Sequence, residues 1–117
     1  MEFNDNKPIY RQIEDYAFNC IIDGRWLPGE LVPSVREMSA ALAVNSRTVL
    51  KAYDELQAFE IISPRRGMGF ELAHDALSKV TQLRKNEFFN VTLPALVEEM
   101  KRLGIDTQQI INFLNGK

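Results

Sequence analysis

The side chains whose types and spacing could do chemistry in this 117-residue chain are the cations between residues 36 and 66. Arg47 and Lys51 lie four apart in a stretch of helical periodicity, Arg36 stands at the start of the stretch before it, and Arg65 and Arg66 enter a glycine-containing turn. Guanidinium forks match phosphate oxygens and the O6/N7 edge of guanine, and ammonium groups bind phosphate as point charges, so this set points to a nucleic-acid surface. The segment nets only +1, these five cations against Glu37, Asp54, Glu55 and Glu60, and the whole chain carries −2 from 14 Lys+Arg and 16 Asp+Glu. Placement rather than global basicity carries the reading.

Other chemistries lack parts. The pairs Asp54-Glu55 and Glu98-Glu99 fall on helical stretches, where adjacent residues diverge by about 100° and cannot converge on one substrate, so both read as solvated faces. One cysteine, Cys20, and one histidine, His74, exclude an intramolecular disulfide and an ordinary structural zinc site. Cys20 falls on an apolar stripe and reads as packing, and His74 reads as a hinge or cap residue. No Gly-rich phosphate loop, metal-ligand set or nucleophile-base pair is visible, so no enzymatic activity, metal or cofactor is expected.

With 45% apolar and 26% charged residues the chain is long enough for an ordered domain. Its apolar runs, such as Ala40 to Val44, are far too short to span a bilayer. Met1 to Asn6 is acidic and polar where a secretory signal needs a basic start and an apolar stretch. A cytoplasmic protein without a membrane partner is expected.

The elements that must position the cations follow from periodicity and punctuation. Ile9, Ile13, Tyr16, Ala17, Cys20 and Ile21 recur at helical spacing, with Arg11, Glu14, Asp15 and Asn19 between them, and Pro8 and Gly24 mark the two ends. Pro28, Gly29 and Pro33 make residues 25–33 a connector. Ser34 with Glu37 forms a capping box for a short helix whose inner face is Val35, Met38 and Leu42. After a tight turn at Ala43, Val44 and Asn45, Ser46 is expected to cap a further helix with inner stripe Val49, Ala52, Tyr53 and Leu56, which turns Arg47, Lys51 and Asp54 outward. Two short helices joined this way form a helix-turn-helix. Ile61-Ile62 and Phe70-Glu71-Leu72 flank Ser-Pro-Arg-Arg-Gly-Met-Gly and predict a small hairpin with Arg65 and Arg66 at its tip, where Gly67 and Gly69 allow a tight turn and close backbone approach to a phosphate.

From His74 onward the helical pattern returns. Leu77, Val80, Leu83, Phe88 and Val91 make a ragged stripe, Leu93, Leu96, Val97, Met100 and Leu103 a clean one, and Thr92 and Pro94 predict a cap and kink between the two. Gly104 ends the second helix. Asp106 and Gln109 form a capping box for a third, which carries Ile110, Ile111 and Leu114.

It is at Pro8-Ile9-Tyr10, Gln12-Ile13, Gly24, Pro28-Gly29, Pro33-Ser34-Val35-Arg36-Glu37, Val44-Asn45 and Ser46-Arg47-Thr48-Val49, followed by Ala52-Tyr53, Glu55-Leu56 and Arg65-Arg66-Gly67-x-Gly69-Phe70, that the chain resembles a known family. Taken in order over about residues 7 to 72, these motifs look like the DNA-binding domain of the GntR family, and the short helical tail is similar to its YtrA-like subgroup. The resemblance implies a mainly helical α+β fold: a winged helix-turn-helix over residues 1–73 and a helical dimerisation tail over 74–117. It implies a homodimeric repressor on a two-fold-symmetric double-stranded DNA operator, with contacts from Ser34, Arg36, Asn45, Ser46, Arg47, Thr48, Lys51, Arg65, Arg66, Gly67 and Gly69. Leu77, Val80, Phe88, Leu93, Leu96, Val97, Met100, Leu103, Ile110, Ile111 and Leu114 are the expected dimerisation residues. The alternative arrangement folds the tail back on its own winged domain. A different alternative makes the winged helix a protein-interaction module, since one fold hosts several functions. The chain departs from the family at Ala43 and Glu60, where many members have Gly, in lacking a small polar residue between Gly69 and Phe70, and at Leu50, where some relatives carry a basic residue. The sequence does not name a small-molecule effector, and a pocket between subunits stays open.

Overall fold

The stretch bounded by Pro8 and Gly24 forms helix α1, Ile9–Ile22, in the computed structural model, which describes residues 3, 4 and 6–116. Part of the N-terminal segment read above for a secretory signal, Met1, Glu2 and Asp5, lies outside the described residues. Pro8 stands at φ −54° ahead of the first turn, and Gly24 takes φ +77° just past the last. Ile13, Ala17, Cys20 and Ile21 are buried, but Ile9 is exposed and the inner face rotates to take in Phe18 and Glu14. Gln12 is buried as well. Its amide donates to the carbonyls of Asn4 and Lys7 at 2.7 and 2.9 Å and accepts from the Asn4 N–H at 3.0 Å, tying the incoming chain to the helix.

Helix α2, Val35–Leu42, starts at the Ser34 capping box: the Ser34 hydroxyl accepts from the Glu37 N–H at 3.0 Å and the Glu37 carboxylate from the Ser34 N–H at 3.1 Å. Helix α3, Ser46–Ala58, is capped not by Ser46 but by Asn45, whose side chain accepts from the Arg47 N–H at 2.8 Å; Ser46 is already helical. Between them Ala43 turns the chain in the left-handed region at φ 55°, a conformation that costs an L-residue about 1–2 kcal/mol. Val49, Ala52, Tyr53 and Leu56 are fully buried, as their spacing predicts.

Strands β1, Ile62–Arg65, and β2, Gly69–Leu72, pair antiparallel in the register Ile62 with Leu72 through Arg65 with Gly69. The connector runs along β2: Leu31 bridges Glu71, the Val32 N–H donates to Phe70 at 2.9 Å, and the Gly29 N–H donates to Leu72 at 2.8 Å. Gly29 sits at φ +77° with the His74 imidazole only 2.8 Å from where a Cβ would stand, so a side chain there would strain the backbone and have to displace the imidazole. His74 thus packs against the connector.

Helix α4 covers Ala76–Glu87 and helix α5 covers Leu93–Leu103. The cap expected at Thr92 is absent; Phe88–Thr92 is a π-helical turn, and the Leu93 N–H donates to the Phe88 carbonyl. Pro94 has no N–H to give and its ring crowds the carbonyl four residues back, and the wider turn absorbs both without breaking the helical path. Gly104, at φ +66°, ends α5, and the Asp106–Gln109 capping box starts α6, Thr107–Leu114.

The chain divides into two compact units, Met1–Thr81 and Gln82–Lys117. The first takes in the start of α4 because Ala76 and Val80 are fully buried. Among the described residues no helix is long and apolar enough to cross a membrane.

Glu14 is the exception to the amphipathic pattern of α1, only 2% exposed and set beside Glu55 of α3. Burial and the neighbouring Glu55 carboxyl push its carboxyl up to about 8, against the pull of Arg11, which stands 3.7 Å from Glu14 and 3.8 Å from Glu55. Glu55 is therefore half-buried rather than solvated. A carboxyl held above its unfolded value stabilises the fold in its protonated form; that contribution is complete below about pH 4.5 and is lost as pH rises through about 8. Thermal melts should show stability falling from pH 5 to pH 9 in the wild type and a visibly flatter profile in Glu14→Gln. Parallel profiles would mean that Glu14 is ionised throughout.

Candidate nucleic-acid interface

Each cation of the sequence reading lies in the first unit, but they do not share one state. Arg36 is exposed at the second position of α2, and Arg47 is exposed at the second position of α3. Neither has an ion pair among the described residues. Both stand in the first turn of a helix, where unpaired backbone N–H groups and the helix dipole favour an approaching anion.

Lys51 is exposed but committed: its ammonium lies 4.1 Å from the centre of the Tyr10 ring, a cation–π contact that leans it toward α1. Tyr10 belonged to the sequence motif without an evident role, and this contact supplies one. On the same flank Glu55 faces Arg11 at 3.8 Å.

Arg65 departs from its expected place. It is a strand residue paired with Gly69, so the hairpin turn is made by Arg66, Gly67 and Met68. Its guanidinium donates to the Glu71 carboxylate, at 2.6 Å through one terminal nitrogen and 3.1 Å through Nε, and also to the carbonyl of Gly29. A guanidinium anchored at three points and half-buried holds the wing to the connector and is not a free phosphate contact. Arg66 is exposed at the turn without an ion pair among the described residues, and Gly67, at φ +74°, has open space around its Cα.

The remaining positions divide between capping and exposure. Ser34 and Asn45 use their side-chain oxygens to cap α2 and α3. Ser46 is exposed and Thr48 half-exposed, and Gly69 is exposed on β2 at φ +113°. The Ser34 N–H and hydroxyl hold the Glu37 carboxyl below its ordinary range. Glu37 is therefore a charged cap next to Arg36, as the capping-box spacing predicts.

Among the described residues no group of three His, Cys, Asp or Glu side chains could hold a metal. What the surface offers is two uncommitted guanidinium groups on helix first turns and a third at a hairpin tip, the combination that engages groove edges and phosphates of duplex DNA.

The family model for bacterial regulatory proteins of the gntR family matches residues 9–72. The chain belongs to the GntR family. It is 34% identical over 110 residues to YhcF of Bacillus subtilis, an uncharacterized HTH-type transcriptional regulator, covering 94% of this chain and 89% of the relative. It is 32% identical over 99 residues to the HTH-type transcriptional repressor YtrA of the same species, covering 85% of this chain and 70% of the relative. A GntR family transcriptional regulator from Listeria monocytogenes shares its structure with a TM-score of 0.79 at 36% identity, over 98% of this chain and 99% of that one. This GntR chain is thus a DNA-binding transcriptional regulator and not an enzyme, and the protein-interaction alternative gives way to DNA.

The two wing arginines should separate cleanly. Arg66→Ala should reduce the slope of log affinity against log salt by about 1 with the melting temperature unchanged. Arg65→Ala should cost about 1 kcal/mol of stability, the worth of a part-exposed charged hydrogen-bond set. A lowered salt slope for Arg65→Ala at full stability would return it to the DNA surface. Arg47→Ala should weaken specific binding by about 1–3 kcal/mol at unchanged stability, measured by titration of a selected operator.

Proposed function

We propose that this GntR regulator is a cytoplasmic repressor that binds a two-fold-symmetric operator as a homodimer. The observation that carries the dimer is in the second unit: among its described residues, 82–116, none is buried. Leu103, Phe113 and Leu114 are 63%, 79% and 75% exposed, and Phe88, Leu96, Val97 and Ile111 are exposed as well. Leu93, Met100 and Ile110 are half-exposed. A helical unit of this size without an interior is not stable in water, and a self-complementary pairing is the commonest way such a face is covered.

Val80 leaves the set of pairing residues. It is fully buried in the first unit and not available to a second copy, whereas Leu77, at 51% exposure, remains available. The repressor role rests on the likeness to YtrA, which is named a repressor. In this reading a dimer presents two α3 helices to successive major grooves, with half-sites about 10 bp or a multiple apart, and occupancy blocks transcription.

Light scattering at micromolar concentration tests the pairing. The intact chain should run as a dimer and a chain ending at Thr81, which keeps Ala76 and Val80 in place, as a monomer. A monomeric intact protein, or a dimeric truncated one, would contradict it.

A further inference from the structure

Resting on that operator reading, we infer that Leu50 is a base-reading residue, and that it reads the C5-methyl group of a thymine in the major groove beside the base pair addressed by Arg47. Leu50 is 46% exposed on α3, one residue after the fully buried Val49. It lies three residues after Arg47 and four before Asp54, both exposed, so the three side chains form one outward ridge at helical spacing.

The other flank of α3 is occupied. Lys51 leans on the Tyr10 ring, and Glu55 faces Arg11 and Glu14. The uncommitted side chains along the outward ridge of α3 are therefore Arg47, Leu50 and Asp54, with small Ala58 at the far end. An aliphatic side chain on this ridge cannot answer the donors and acceptors of base edges, and facing one would leave that edge unsatisfied. The major groove displays one apolar group, the thymine methyl, and only that group gains from covering by leucine.

Register follows from rise. Three residues advance about 4.5 Å along a helix axis, and base pairs stack about 3.4 Å apart, so Arg47 and Leu50 address neighbouring or next-neighbouring pairs. With Arg47 forked on a guanine, each half-site should hold a thymine one or two steps from that guanine. The buried cluster of α3 is untouched by removing Leu50, and alanine favours helix, so Leu50→Ala keeps the fold.

The experiment starts from sequences selected out of a random duplex pool by the intact protein and replaces each selected thymine in turn by deoxyuridine, which lacks only the methyl. The wild type should lose about fourfold in affinity at one thymine per half-site, the worth of one buried methyl. Leu50→Ala should bind the thymine and deoxyuridine sites alike, and Leu50→Met, which restores an apolar cover, should recover the difference. Three results overturn the inference alone: half-sites without a thymine near the guanine, thymines all indifferent to the replacement, or an unchanged penalty in Leu50→Ala, which would assign the methyl to another side chain such as Thr48. A protein that enriches no sequence at all would overturn the operator reading as well.

Discussion

One side chain aims the candidate DNA-binding surface. Tyr53 is fully buried on the inner stripe of α3, its hydroxyl donates to the Pro33 carbonyl at 2.5 Å, and its ring meets Phe70 edge-on at 5.6 Å between centres. It therefore joins α3 to the residue that leads into the α2 cap and to the second strand of the wing. Burial pushes its phenol above the ordinary range, so it stays neutral and its donor is always present. Arg36, Arg47 and Arg66 stand on three elements whose mutual placement depends on that contact, and an interface built on three elements is only as ordered as what ties them together.

Around this anchor the charges divide their labour. Lys51, Arg65 and Arg11 spend their charge on the protein itself, against Tyr10, Glu71 and the Glu14–Glu55 pair. Arg36, Arg47 and Arg66 face outward. This division explains how a chain of net charge −2 presents a basic surface: the acidic residues near the interface are largely bound to internal partners or act as caps, as Glu37 does. The sum of charges says little; the pairing decides which of them DNA meets.

What the sequence made legible is what depends on local spacing. The inner stripe of α3, both capping boxes, the hairpin and Gly104 at the end of α5 are set by neighbours a few residues away, and all stand where periodicity placed them. What it hid depends on distant partners. Arg65 looked like a turn cation because its anchor on the Gly29 carbonyl comes from 36 residues earlier in the chain. Glu14 looked like a polar position of an amphipathic helix, yet a carboxyl from α3 and rotation of the inner face bury it. Pro94 signalled a break, and the π-turn before it is a second solution to the same steric demand that no residue type announces. Ala43 and Glu60 were departures by residue type, and both occupy the left-handed conformation that glycine would take with less strain.

The central claim is that the Arg36, Arg47 and Arg66 surface meets DNA as a symmetric pair. Hydroxyl-radical footprinting of the intact protein on a selected operator tests it most directly. The account predicts two protected patches on one face of the duplex, related by a dyad, with centres about 10 bp or a multiple apart. A single patch without a dyad, or protection spread evenly along the duplex, would contradict it.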